Sequence, residues 1–334
     1  MPPCILLPSQ PAYAADRLAA IVHGTQSSLL RILAEPIRMA MTVKQNDHEL
    51  AGRKFYPANE EALFTENCPD QTPQTEHPAY KLAFRDTDFL LRDELRPVRF
   101  QLELQKPEML LDEARVGSTL VMYGSARIPS PETAQAKVDA AANGTEYEQL
   151  VAKRLAEKAK YYDQAYKLAR LASEKAIIED GLRQFVVCSG GGPSIMEAAN
   201  RGASDAGAES IGLNIVLPHE QAPNSYVTPY LSLNFHYFAL RKMHFLLRAR
   251  AVAVFPGGFG TFDEFFELLT LIQTGKMKPI PILLFGKDFW QRVVNFEAIA
   301  EEGTIAKKDL ELFKWCEDYE DAWNHIAEFY ELTR

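Results

Sequence analysis

The chain has 334 residues, 47% apolar and 24% charged, with 45 acidic against 36 basic side chains and a formal net charge of -9 at pH 7. These values suit a globular protein with a sizeable core and make two domains the expectation. They argue against a nucleic-acid partner, whose phosphates require a basic face, while leaving room for a small phosphorylated ligand in a local pocket.

No apolar run approaches the roughly 18 residues of a membrane span. The amino terminus carries no basic residue before Arg17, so no secretory leader is read there and a cytoplasmic protein without a membrane partner is expected. Cys4, Cys68, Cys188 and Cys316 are scattered without a CxxC pair and read as reduced thiols. The seven histidines do not cluster, and no metal site is expected.

In chain order, a helical pattern around Leu18 to Met41 is followed by "FYPANEEALFTENCPDQTPQTEHPAY", whose Pro, Asn, Thr and Glu content reads as a loop or linker. The stretch "FLLRDELRPVRFQLELQKPEMLLDEARV" is helical in pattern, with breaks expected at Pro97 and Pro107. From Gly117 the texture changes. "STLVMYGSARIP" reads as a strand ending in a small-residue turn, and residues 131 to 183 read as two helices or one long one. "QFVVCSGGGPSIMEAANRGA" reads as strand, glycine turn and helix, and "SIGLNIVLP" as a further strand. The helix "HYFALRKMHFLLRA" feeds the strand "AVAVF", the glycines of "PGGFG" and the helix "TFDEFFELLTLIQTGK". "PIPILLFG" is another strand, and the tail ends in helices.

Short apolar strands alternating with helices specify βαβ units. The expected fold class is α/β, a Rossmann-like doubly wound parallel sheet, with a mainly helical N-terminal extension. The extension takes residues 1–115. The sheet domain takes 116–334, with a helical insertion at about 129–183.

Glycine turns follow three strands, at Gly124, at Gly190 to Gly192 and at Gly257 to Gly260. In a doubly wound sheet such carboxyl-end turns line the ligand crevice. They are not dinucleotide fingerprints, because the third small position of GxGxxG falls on Ile195 in one turn and Asp263 in another. No GxxxxGK[ST] occurs either, since Lys276 merely follows "QTG". A phosphate monoester suits them better. Backbone N–H groups at a helix amino terminus, with the Thr261 hydroxyl beside them, are donors aimed at an anion. Glu264 lies one turn into the same helix. Asp263 reads as a helix-dipole acid. Arg241 and Lys242 read either as a solvated basic face or as residues reaching the crevice from the preceding helix.

At these residues the chain resembles a known family. "PGGFGTFDE" fits the PGGxGTxxE motif of the Lonely Guy (LOG) proteins, and "LRK" fits the Arg-Lys pair that precedes it. "YGSAR" and "SGGGPSIMEAANRGA" resemble the family's first and second turns, and the match runs from about Gly117 to Lys276. The segment "LRDELRPVRFQLELQKPE" looks like the extension of the longer bacterial members. Two departures stand out: the first turn is Gly-Ser-Ala-Arg instead of serine-rich, and Pro129 to Arg183 is longer than a simple crossover.

The resemblance implies a phosphoribohydrolase that cleaves a nucleoside 5′-monophosphate, AMP or a cytokinin ribotide, into free base and ribose 5-phosphate. It makes Arg241 and Glu264 the catalytic pair. Substrate and phosphate binding would fall to Gly124, Ser125, Arg127, Gly190, Gly191, Gly192, Met196, Lys242, Gly257, Gly258, Gly260 and Thr261. It implies no cofactor, no metal, and a homodimer or higher homo-oligomer.

Elementary chemistry is compatible with this. Breaking an N-glycosidic bond builds positive charge on the ribose, which a fixed carboxylate such as Glu264 can stabilise, or whose attacking water it can position. Arg241 can orient phosphate or ribose, or polarise the leaving base. Phosphate anchoring supplies binding energy remote from the reacting bond. Three alternatives stand beside this reading. One is a carrier of a phosphorylated cofactor such as molybdopterin. Another is a structural protein that works through residues 1 to 115. The last is a pyridoxal phosphate enzyme, for which no Schiff-base lysine is marked.

Overall fold

The computed structural model describes residues 55–66, 70–175, 177–218 and 222–332. The helix expected around Leu18 to Met41, together with Cys4 and Cys68, lies outside the described residues. The chain divides into two compact units, Met1–Leu82 and Ala83–Arg334. In the smaller unit, Ala58–Glu66 and Pro73–Glu76 are helices where composition suggested a loop. The prolines mislead there because Pro73 stands at the start of its helix, where a missing N–H costs nothing. A reciprocal Thr72–Thr75 capping box fixes that start.

The larger unit begins with short turns and then helix α1 (Arg96–Glu113), which leads into strand β1 (Thr119–Tyr123). The expected break at Pro97 is a helix start, with the proline in the first turn. The break expected at Pro107 does not occur, and α1 runs on through a buried proline ring. A proline inside a helix frees the carbonyl four residues back. Here that carbonyl belongs to Glu103, and the imidazole Nε2 of His244 takes it up at 3.2 Å.

After β1 come helices α2 (Pro131–Ala140), α3 (Glu146–Ala156) and α4 (Ala159–Glu174). An antiparallel hairpin follows, β2 (Ile177–Glu179) and β3 (Leu182–Gln184), in a stretch read as helical. Three helices and a hairpin thus replace the one or two helices expected. Asp180 and Gly181 turn the hairpin with φ of +52° and +72°, a local geometry that helical periodicity does not report.

The remaining elements alternate. They are β4 (Val186–Ser189), α5 (Ile195–Asp205), β5 (Ile211–Ile215), β6 (Ser232–Phe235), α6 (Phe238–Leu247), β7 (Ala249–Val254), α7 (Phe259–Gln273), β8 (Ile282–Phe285), α8 (Lys287–Val293), α9 (Phe296–Glu301), β9 (Lys314–Cys316) and α10 (Tyr319–Phe329). Seven strands form one parallel sheet in the order β6-β5-β4-β1-β7-β8-β9. The fold is therefore the α/β doubly wound type that the strand and helix pattern specified. The edge strands β6 and β9 were not legible, because both are short and neither is a continuous apolar run.

Alternate residues of each strand feed two cores. Val121, Tyr123, Leu213, Val252, Val254 and Leu284 face α6 and α7, where Phe245, Phe265 and Leu268 meet them. Leu120, Met122, Val187, Ala253 and Leu283 face α4, α5 and α10. On that second face α5 approaches α4 so closely that a Cβ on Gly202 would strike the Tyr166 carbonyl. The chain winds from β1 out to β6, then returns to place β7 on the other side of β1. The topological switch point thus falls between β1 and β7, where this fold class opens its ligand crevice.

One residue at that end is held in an unusual conformation. Ser194, the residue before α5, has φ +67° and ψ -123°, which a side chain normally avoids, and its buried hydroxyl donates to the Ile128 carbonyl. Ser194→Gly relieves the backbone and loses the hydroxyl, whereas Ser194→Ala loses the hydroxyl and keeps the strain. Urea denaturation is expected to find the glycine variant more stable than the alanine variant by more than about 1 kcal/mol, because relief of the strained backbone adds to the ordinary preference for glycine over alanine at an N-cap. A gap no larger than the ordinary N-cap preference, about 1 kcal/mol or less, would mean the backbone there carries no strain.

Candidate functional site

Because β4, β1 and β7 are neighbours, the three glycine turns stand side by side at the carboxyl edge of the sheet. Ser125 ties them together. Its N–H donates to the Pro256 carbonyl at 3.1 Å, and its own carbonyl accepts from Ile195 N at 3.3 Å. Its hydroxyl accepts from Arg127 N at 3.0 Å, closing the first turn on itself.

The glycines divide into two groups by what a Cβ would meet. At Gly124 it would press on the Ile195 side chain at 2.5 Å, so this glycine lets α5 close onto β1. At Gly190 it would meet Arg241 Nη2 at 2.6 Å and Met196 Sδ at 2.8 Å, and at Gly192 the Met196 methyl at 2.7 Å. Gly191 has φ +73°, and its Cβ would overlap the Asn214 side chain. At Gly257 the Cβ would overlap Thr261. These positions need glycine for packing. Gly258 and Gly260 do not: a Cβ at either meets no atom of the chain within 4 Å, and neither has a left-handed backbone.

Gly258 is also the N-cap of α7, and no side chain caps that 15-residue helix. An uncapped helix amino terminus presents its first N–H groups and the positive end of its dipole. Thr261, buried in the first turn, lies against Gly257.

Arg241 and Glu264 come together from consecutive helices. Arg241 Nη1 lies 3.3 Å from Glu264 Oε1, with the side chains only 11% and 13% exposed. The guanidinium is held from two further directions. Its Nε donates to the Leu213 carbonyl at 2.7 Å, and it sits 5.0 Å from the centre of the Phe245 ring. The solvated alternative therefore fails for Arg241. Lys242 points elsewhere. Its ammonium bridges Asp263 and Glu267 on α7, 3.1 Å from each.

Burial is the largest influence on Glu264 and pushes its carboxyl up to about 7. Arg241 pulls in the opposite direction, as does Lys242 more weakly, while Asp263 and Glu267 add to the rise. One guanidinium shared with a backbone carbonyl does not offset the loss of water. A carboxyl that gains or loses its proton near neutrality beside a fixed cation can transfer a proton or balance a developing charge.

Arg127 falls outside this group. It is exposed and lines a cavity of about 390 Å³ with Ser130, Thr133, Lys137, Tyr162 and Glu197, a lining that does not include Arg241 or Glu264.

A buried polar cluster behind the second turn was not anticipated. Ser189 Oγ donates to Asn200 Oδ1 at 2.7 Å and accepts from Gly191 N at 3.0 Å. Asn200 Nδ2 reaches Ser210 Oγ at 3.0 Å. Asn224 Nδ2 lies 3.0 Å from Asn200 Oδ1 and from the carbonyls of Gly191 and Gly192. The turn is thus moored by side chains. Asn200 could have been noticed, since asparagine is a poor helix former placed among the alanines of α5. Asn224 lies in an irregular loop and carried no signal.

The state of Glu264 is directly measurable. With carboxyl-labelled glutamate, the Glu264 resonance is expected to titrate with a midpoint near pH 7, well above an ordinary glutamate. A midpoint near 4.5 would mean that water reaches the pair and that burial does not dominate.

Comparison with known proteins adds what the chain is similar to. A family model described as "Possible lysine decarboxylase" matches residues 196–326. Cytokinin riboside 5′-monophosphate phosphoribohydrolase LOG2 of Arabidopsis thaliana is 28% identical over 153 residues, which cover 45% of this chain and 67% of that protein. Among solved structures, the X-ray structure of TM1055 matches at 20% identity and a TM-score of 0.37, covering 63% of this chain and 99% of its own. The Moco carrier protein from Chlamydomonas reinhardtii matches at 14% identity and a TM-score of 0.35, covering 65% and 99%. The family model, the named relative and the ordered turns around "LRK" and "PGGFGTFDE" agree in their similarity to the Lonely Guy (LOG) family.

Proposed function

We propose that the chain hydrolyses the N-glycosidic bond of a nucleoside 5′-monophosphate, releasing the free base and ribose 5-phosphate. The observation that carries this reading is the buried Arg241–Glu264 pair beside the uncapped, glycine-rich start of α7. In it, the 5′-phosphate sits on the N–H groups of Phe259, Gly260 and Thr261, where the helix dipole favours an anion. Glu264, one turn further along α7, then faces the ribose. As a carboxylate it stabilises the positive charge that grows there or directs the attacking water. Arg241 orients the bound nucleotide and keeps Glu264 in place. The glycines at 190, 191 and 192, with Met196, form the wall opposite. AMP and a cytokinin riboside monophosphate are the candidate substrates, the latter named for the Arabidopsis relative. The homodimer or higher assembly and the cytoplasmic setting rest on the family resemblance and the composition.

The test is to incubate the purified protein with AMP, GMP, CMP, UMP and a cytokinin ribotide and to separate the products by chromatography. Free base and ribose 5-phosphate are expected from the wild type, with Glu264→Gln slower by about two to three orders of magnitude. Tight nucleotide binding with no base released from any of them would overturn the hydrolase and favour the phosphorylated-cofactor carrier.

The glycines of α7 make a separate prediction. Gly260 lies in the first turn of a helix with free space at its Cβ. Gly260→Ala is therefore expected to leave the melting temperature unchanged or raise it, a gain of up to about 1 kcal/mol in helix propensity. Nucleotide affinity is expected to fall at least tenfold, because the new methyl stands where phosphate must approach backbone. Calorimetric titration with AMP checks this, and undiminished affinity would remove the phosphate from that turn.

A further inference from the structure

We infer that Glu103, on helix α1 of the segment preceding the sheet, is a positioning residue that sets Arg241 through helix α6, an inference that rests on the reading of Arg241 and Glu264 as the reacting pair. Helix α6 has no cap of its own, since Tyr237 stands at its N-cap without a side-chain hydrogen bond to the helix. The missing acceptor comes from a different helix. The two carboxylate oxygens of Glu103 accept from the N–H groups of His236 at 2.8 Å and Tyr237 at 3.1 Å. A charged acceptor at a helix amino terminus is favoured both as a cap and by the dipole.

Arg241 depends directly on that turn. Its own N–H donates to the Tyr237 carbonyl at 3.1 Å, so the capped residue is the one that begins the turn carrying the guanidinium. The rest of α1 grips α6 along its length. Phe100 stacks on Tyr237 with ring centres 4.1 Å apart, and the carbonyl of Glu103 freed by Pro107 holds His244. At the far end Glu108 and Asp112 hold Arg248 at 2.9 and 2.8 Å. These contacts differ in what they fix. Glu108 and Asp112 secure the end of α6 remote from Arg241, whereas Glu103 fixes where the helix starts. On the crevice side, Leu213 and Glu264 receive the guanidinium. A small shift at the start of α6 is therefore read out as a change in the Arg241–Glu264 distance.

The experiment compares Glu103→Gln, Glu103→Asp and Glu108→Gln in the full chain, following melting temperature, the Glu264 carboxyl titration and steady-state rates on the preferred monophosphate. Glutamine keeps the size but presents an NH₂ to one of the two N–H groups, and aspartate keeps the charge but falls short of α6. Arg241 holds the Glu264 midpoint down, so slackening it is expected to move that midpoint up by roughly half a pH unit or more in Glu103→Gln. A smaller shift in the same direction is expected in Glu103→Asp. The rate constant kcat is expected to fall about tenfold in Glu103→Gln with KM nearly unchanged. Glu108→Gln is expected to lower the melting temperature without moving the midpoint. If the Glu103 variants melt earlier but keep the wild-type Glu264 midpoint, Glu103 is only glue between helices and the inference is overturned. The titration needs no turnover, so it decides the positioning role even if the wild type releases no base. Should Glu103→Gln not fold, the Glu103→Asp midpoint decides.

Discussion

Arg241 is a cation removed from water and held from several directions at once, and the rest of the crevice is arranged around that constraint. A buried guanidinium must find acceptors for its N–H groups, because leaving them unmet costs several kcal/mol. Leu213 in the middle of β5 supplies one acceptor, and Glu264 on α7 supplies another. Its Nη2 lies so close to Gly190 that no side chain fits between them. The residues that answer to one guanidinium thus come from β5, from the turn after β4 and from α7. The same burial that makes the pair costly keeps Glu264 near neutrality, poised between its two protonation states. A more exposed pair would be easier to build and would have an ordinary carboxylate in it.

The sheet order makes that convergence affordable for a chain of this length. Winding outward from β1 and back to β7 puts three turns from distant parts of the sequence on adjacent strands. The turns then divide their tasks. The first, at Gly124 and Ser125, is a hinge of backbone hydrogen bonds between the other two. The second is moored from behind by Ser189, Asn200 and Asn224. The third leaves the first N–H groups of α7 without a side-chain cap. Rigidity in two turns is what lets the remaining one stay open to a ligand, since a site held only by mobile loops loses affinity in ordering them.

The parts of this arrangement legible in the sequence are those with a local physical signature. Runs such as "AVAVF" and "ILLF" are buried on both faces and announce themselves as parallel strands, and glycines after them mark the turns. Arg241 could be paired with Phe245 by helical spacing alone, and Glu264 could be placed one turn into its helix. The misses are non-local or too short. Strands β6 and β9 form at the sheet edges, and the β2–β3 hairpin owes its turn to two residues with positive φ. Pro107 looks like a break until the Glu103 carbonyl it frees is found under His244, a contact across 141 positions. Lys242 and Arg241 are adjacent and equally basic, yet one faces the crevice and the other bridges two acids, a difference that only the neighbouring helix decides.

The helix before the sheet is the element whose meaning changes most once the contacts are known. By composition α1 is a polar, proline-interrupted appendage, and nothing in its sequence marks a site. In the fold it is packed along the helix that carries Arg241, and its Glu103, Glu108 and Asp112 meet groups that α6 does not satisfy within itself. An isolated α6 would lack a cap at its start, lack a partner for His244 Nε2 and leave Arg248 without its carboxylates. A helix of ten residues in that condition is marginal in water. The sheet supplies its apolar floor through Phe245, but direction and register along the floor are set by polar contacts, because hydrophobic burial is non-directional. It follows that the segment preceding the sheet is structurally part of the crevice: a cut before β1 would remove the cap, the histidine acceptor and the arginine's carboxylates together, leaving α6 its hydrophobic floor and little to fix where Arg241 stands.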